Sequence, residues 1–75
     1  MEERILEIIN TVLKNRGKEQ VKRIKAKSNL RNDIGFDSLD LAEVTVRIEA
    51  EFDTDIFEDG VVNTVGEILQ KLNSK

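Results

Sequence analysis

In the stretch GFDSLDLAEV, residues 35 to 44, Ser38 lies between Asp37 and Leu39, with Asp40 just beyond. A serine oxygen is a nucleophile in principle, but it needs a base, or a second enzyme, to react. The chain contains no histidine, cysteine, tryptophan or tyrosine. Histidine is the commonest general base near neutral pH, so no Ser-His-Asp arrangement can be assembled from this chain. A zinc site, which draws on Cys and His, is not expected either. What remains for chemistry is carboxylates, lysines and hydroxyls, a set that points away from a self-contained enzyme. The local pattern reads as a helix start. With Asp37 as the N-cap, Ser38 is the first helical residue and Asp40 the third. Asp37 can then accept from a free backbone N–H, and Asp40 complements the positive end of the helix dipole. The Ser38 hydroxyl is not needed for capping and can face solvent. Phosphate is favoured at helix N-termini, although the two aspartates oppose it here.

The elements that must hold this serine are helical. Ile5, Leu6, Ile8, Ile9, Val12 and Leu13 recur at helical spacing and make one apolar stripe, with Gly17 as a plausible stop. Residues 18 to 36 are irregular and basic. Val21, Ile24, Leu30 and Ile34 are expected to pin this loop down, with one short helical turn after Ser28 and a turn at Gly35. A second helix is expected from about Ser38 to Phe52, with Leu41, Val44, Ile48 and Phe52 facing inward. Leu39, Ala42 and Val46 fall off that line and leave an apolar patch near Ser38. The segment DTD ends it, and a short helical turn is expected from Ile56 to Asp59, closed by Gly60. Thr64 and Glu67 have capping-box spacing ahead of a last inner stripe of Val65, Ile68, Leu69 and Leu72, with Gly66 weakening its first turn. The fold expected is all-α: a small four-helix bundle of three main helices and one short helix, with a long loop between helices 1 and 2, forming a single domain over residues 1–75.

Length and charge narrow the class. Seventy-five residues without cysteine leave a small core and no disulfide. The opening MEERILEIIN lacks the basic start and continuous apolar run of a signal peptide, and no stretch is apolar enough to span a membrane. A cytoplasmic, monomeric protein is expected. Residues 1–35 hold nine Lys/Arg against five Asp/Glu, and residues 36–75 hold three against ten, so the charge is strongly uneven.

Taken together, GFDSLDLAEVTVRIEAEFDTDI resembles the acyl carrier proteins around their Asp-Ser-Leu motif. The first amphipathic helix, the long loop, Gly35 and NTVGEIL extend the resemblance over nearly the whole chain. In that family a carrier-protein synthase esterifies the serine with 4′-phosphopantetheine from coenzyme A, and the terminal thiol holds acyl groups as thioesters. The resemblance implies attachment at Ser38, a carrier rather than an enzyme, and a phosphopantetheinyl transferase with acyl-transferring and condensing enzymes as partners. It implies a partner-binding face of Asp37, Leu39, Asp40, Ala42, Glu43, Val46 and Glu49. It also implies an acyl pocket lined by Val44, Val46, Ile48, Ile56 and Val61. Arg47, Ala50, Ile56-Phe57 and a Lys14–Arg31 loop with eight basic residues and one acid depart from a standard fatty-acid carrier, and suggest a specialised one.

Other readings fare less well. KNRGKEQVKRIKAK could contact phosphates, but no aromatic residue is interleaved for base stacking, so nucleic acid is not an expected partner. DTDIFEDG lacks the fifth-position oxygen ligand and sixth-position glycine of a calcium loop. An aminoacyl or peptidyl carrier shares the same arm, and a helical interaction domain could use Leu39, Ala42 and Val46 without the hydroxyl.

Overall fold

The computed structural model describes residues 2–58 and 60–73. Three helices follow in chain order: α1 Glu2–Asn15, α2 Ser38–Phe52 and α3 Val65–Asn73. Helix α1 buries Ile5, Ile8, Ile9, Val12 and Leu13, with Glu2 and Glu3 in its first turn and Lys14 in its last, matching the dipole. It closes as the periodicity implied. Gly17 takes a left-handed φ of 70°, and the Lys18 N–H reaches back to the Leu13 carbonyl at 2.8 Å. Helix α2 turns Leu41, Val44 and Ile48 inward and leaves Leu39 and Val46 exposed, as the sequence pattern implied. It ends at Asp53, whose left-handed φ of 55° lets its N–H bond to the Glu49 carbonyl without a glycine. Helix α3 starts from the expected capping box. Thr64 Oγ1 accepts from the Glu67 N–H at 3.2 Å, and Glu67 Oε1 accepts from the Thr64 N–H at 3.2 Å.

The long loop is tied down at both ends by hydrogen bonds. Asn10 on α1 pairs with the Val21 backbone as a second strand would, donating from Nδ2 and accepting at Oδ1, both at 2.8 Å. The turn expected after Ser28 is present: Asn29 Oδ1 accepts from the Arg31 and Asn32 N–H groups, and the Asp33 and Ile34 N–H groups donate to the Asn29 carbonyl. Leu30, Ile34 and Phe36 sink into the core, while Val21 and Ile24 are half-buried. The loop then clasps α3. The Val65 N–H donates to Ser28 O at 3.0 Å and the Gly66 N–H to Ala26 O at 2.9 Å, so two N–H groups at the start of α3 bond to the loop.

The short fourth helix is corrected. Over Ile56–Glu58 the backbone makes a hydrogen-bonded turn, with Asp55 Oδ1 accepting from the Phe57 N–H at 2.9 Å. Asp59, where that element was expected to end, lies outside the described residues. Ile56, the first residue of this turn, is buried, so one apolar side chain anchors the segment. Among the described residues the architecture is all-helical with three helices, plus one isolated bridge between Asn29 and Thr64.

Candidate functional site

Ser38 occupies the first position of α2 and is exposed. The backbone beneath it is fixed by a reciprocal cap. Asp37 Oδ1 accepts from the Asp40 N–H, and Asp40 Oδ2 accepts from the Asp37 N–H, both at 2.9 Å. Two cations from the chain just after α1 close over these acids. Arg16 lies 3.2 Å from Asp37 Oδ2 and 3.0 Å from Asp40 Oδ1. Lys18 pairs with Asp40 Oδ2, lies 3.6 Å from Asp37 Oδ2, and also donates to the Gly35 carbonyl at 3.1 Å. The site is thus a layered arrangement: the serine outside, the acids beneath it, and the cations holding the acids in place.

This arrangement sets the chemistry. The backbone N–H of Asp40, and then Lys18 and Arg16 by charge, hold the Asp37 carboxyl below the usual carboxylate range. A carboxylate so stabilised is a poor general base, so the acid nearest Ser38 does not activate it. The hydrogen bond to Asp40, with charge from Asp37, raises the Lys18 ammonium above its ordinary value, so Lys18 stays charged and is no base either. The Ser38 hydroxyl instead accepts a hydrogen bond at 3.3 Å from the Arg31 guanidinium, seven residues earlier. It is presented to solvent beside a cation.

The sequence model of the family described as the phosphopantetheine attachment site matches residues 3–72. The chain belongs to this family. Its members carry 4′-phosphopantetheine covalently and are generally non-catalytic carriers. The match spans all three helices and the loop that carries Arg31, so the whole architecture described above is that of a phosphopantetheine carrier. No helix among the described residues is long and apolar enough to cross a membrane.

The other residues anticipated from the sequence divide by exposure. Leu39, Ala42 and Val46 form an exposed stripe along α2, with Glu49 exposed and Glu43 half-buried beside it. Arg47 binds Glu43 at 3.0 Å one turn away, so it lowers the charge of this face without standing apart from it. Asp40 is the correction here: it is 0% exposed, and its side chain faces Asp37, Arg16 and Lys18 and not a partner. Of the anticipated pocket residues, Val44, Ile48 and Ile56 are buried in the core. Val46, 66% exposed, points away from the helix interior and cannot line a pocket there. Val61 is 72% exposed, and its neighbour Val62 takes the inward place. Val61 does border an open depression of about 350 Å³ with Leu41, Phe57, Gly60 and Arg31, the residue that also meets Ser38.

Sequence reasoning missed the separate roles within the basic loop. Arg16 and Lys18 serve the α2 cap, and Arg31 meets Ser38. No periodic pattern links a loop residue to a helix start seven positions on. The turn at Gly35, with φ of 92°, was the one signal that the chain doubles back there.

Proposed function

We propose that this chain is an acyl carrier in which Ser38 bears 4′-phosphopantetheine. The observation that carries the proposal is the exposed Ser38 hydroxyl on the rigidly capped start of α2, inside the family match and without a base of its own. A phosphopantetheinyl transferase would form the phosphate ester on Ser38 Oγ. The pyrophosphate bond of coenzyme A breaks, the nucleotide bisphosphate leaves, and the serine proton passes to a base that the transferase contributes. The arm's thiol supplies the reactivity that a cysteine-free chain lacks, and acyl groups ride on it as thioesters between enzymes of fatty-acid or related lipid or polyketide synthesis.

The exposed stripe of Leu39, Ala42 and Val46, with Asp37, Glu43 and Glu49 around it, is the docking face for the transferase and the acyl-transferring and condensing enzymes. An apolar strip with a charged border suits a transient interface, in which charge guides encounter and apolar contact holds it. Residues 1–75 act as one carrier domain and a monomer. The Glu43–Arg47 pair and the basic loop support a specialised carrier.

The test is direct. Incubating the apo-protein with coenzyme A and a broad-specificity transferase should add the mass of one phosphopantetheine. Ser38→Ala should add none. A gain that persists in Ser38→Ala would place the attachment elsewhere. Mass spectrometry of the protein from its native host then distinguishes acyl from aminoacyl or peptidyl cargo.

A further inference from the structure

We infer that Arg31 is a dedicated phosphodiester-binding residue, held ready beside Ser38 to pair with the phosphate once the arm is attached. The inference rests on the reading of Ser38 as the attachment point. Three cations lie near the start of α2, and their partners differ. Arg16 and Lys18 are each engaged with both Asp37 and Asp40. Arg31 has no carboxylate partner among the described residues, and its guanidinium donates to Ser38 Oγ at 3.3 Å. The acids that would repel a phosphate are therefore already paired, and the cation left over touches the oxygen that would bear it.

The backbone of Arg31 is placed with little freedom. Asn29 Oδ1 accepts from the Arg31 N–H at 2.9 Å, within a turn closed by two further bonds to the Asn29 carbonyl. The preceding residue, Leu30, is buried and donates to the Asn63 carbonyl at 2.8 Å. Such anchoring in a loop fixes the direction from which the guanidinium approaches. The bond it makes to a neutral hydroxyl is long and contributes little. A phosphodiester in the same place carries a full negative charge and strong acceptor oxygens, to which a planar guanidinium can donate twice. The interaction should thus strengthen on modification. Because Arg31 is also part of the wall of the depression with Leu41, Phe57 and Val61, a phosphate held by it sits at the edge of that surface.

The experiment compares apo and holo forms of the wild type, Arg31→Gln and Arg31→Lys. In the apo state the wild type and Arg31→Gln should melt together, because the group lost is an exposed donor to a neutral hydroxyl. In the holo state the wild type should melt higher than Arg31→Gln by about 2–4 °C at low ionic strength, the range expected of one exposed ion pair in a domain this small. That gap should close at high salt, and Arg31→Lys should restore part of it. The Nε–Hε resonance of Arg31 should move on holo conversion while that of Arg23, exposed in the same loop, stays still. Equal apo-to-holo shifts in the wild type and Arg31→Gln, with an unmoved Arg31 resonance, would overturn the role of Arg31 while leaving Ser38 as the attachment point. Failure of the wild type to gain mass at all would overturn the Ser38 reading, and this inference with it.

Discussion

Asp40 shows how one side chain can be indispensable to a site without touching what binds there. It is fully buried, yet it accepts from the Asp37 N–H and faces two cations. In sequence it looks like one more acid on an acidic helix face, and only the fold of the loop reveals the cations that cover it. The spacing Asp-x-x-Asp carries a hint of the reciprocal cap. Thr64-x-x-Glu67 announces the same device plainly because its residues are the usual ones. Replacing Asp40 by Ala strips the Asp37 N–H of its acceptor and leaves Arg16 and Lys18 facing one acid in place of two. The expected loss is about 2 kcal/mol of stability, read from urea unfolding, within the range for a buried polar partner removed. Asp40→Asn should lose less, since an amide oxygen can still accept from the Asp37 N–H. An Asn variant as unstable as the Ala variant would mean that the charge, and not the cap, carries the effect. Leu39 makes the opposite case: Leu39→Ala should leave unfolding nearly unchanged, since the side chain is 65% exposed, but should slow modification by the transferase. Equal initial rates of holo formation for Leu39→Ala and wild type would remove Leu39 from the docking face.

Among the elements, Gly66 separates intrinsic preference from tertiary demand. From sequence alone it is a weak helix former in the first turn of α3, and substitution by Ala would be expected to gain up to about 1 kcal/mol. The structure reverses that sign. A Cβ on Gly66 would stand 2.9 Å from the Ala26 carbonyl oxygen and 3.1 Å from its Cβ, where the Gly66 N–H itself bonds to the loop. Gly66→Ala should therefore destabilise, by about 1–3 kcal/mol as overpacking usually does, with a lowered denaturation midpoint as the readout. A variant more stable than wild type would show that loop and helix part easily. The same contrast runs through the whole chain. The three helices were legible because their apolar residues recur at helical spacing over whole segments. Phe36 and Val62 are core residues with no such support, since each lies in irregular backbone where no repeating spacing says which side chain turns inward. Val61 and Val62 are alike in type and adjacent, so nothing local says which faces in.

Over the whole molecule, α1 and α2 run antiparallel and are pinned by charge at both ends. Arg16 and Lys18, just past the end of α1, meet Asp37 and Asp40 at the start of α2. Arg4, near the start of α1, meets Glu51 near the end of α2. The uneven charge of the two halves of the sequence is thus partly an internal match, with basic residues of the first half facing acids of the second. It follows that stability should depend on pH in a definite way. The Arg4 hydrogen bond holds Glu51 below its ordinary range, and the Asp40 N–H and nearby cations do the same for Asp37. For acids whose folded values are depressed, the stabilisation is present above the unfolded value and is lost as pH falls through the folded one. Lys18 is raised by Asp40, so its share is present below the ordinary lysine value and is lost as pH rises through the elevated one. The melting temperature should accordingly hold a plateau between the two ranges and fall on either side. Glu51→Gln removes one of the two depressed acids, so its plateau should be slightly lower and its acid limb shallower than the wild type's. The Arg4–Glu51 pair is partly exposed, so the difference should shrink in high salt. An acid limb identical in Glu51→Gln and wild type at low ionic strength would mean that the Arg4 end of the helix pair contributes nothing, and that the cap beneath Ser38 alone governs the loss of structure in acid.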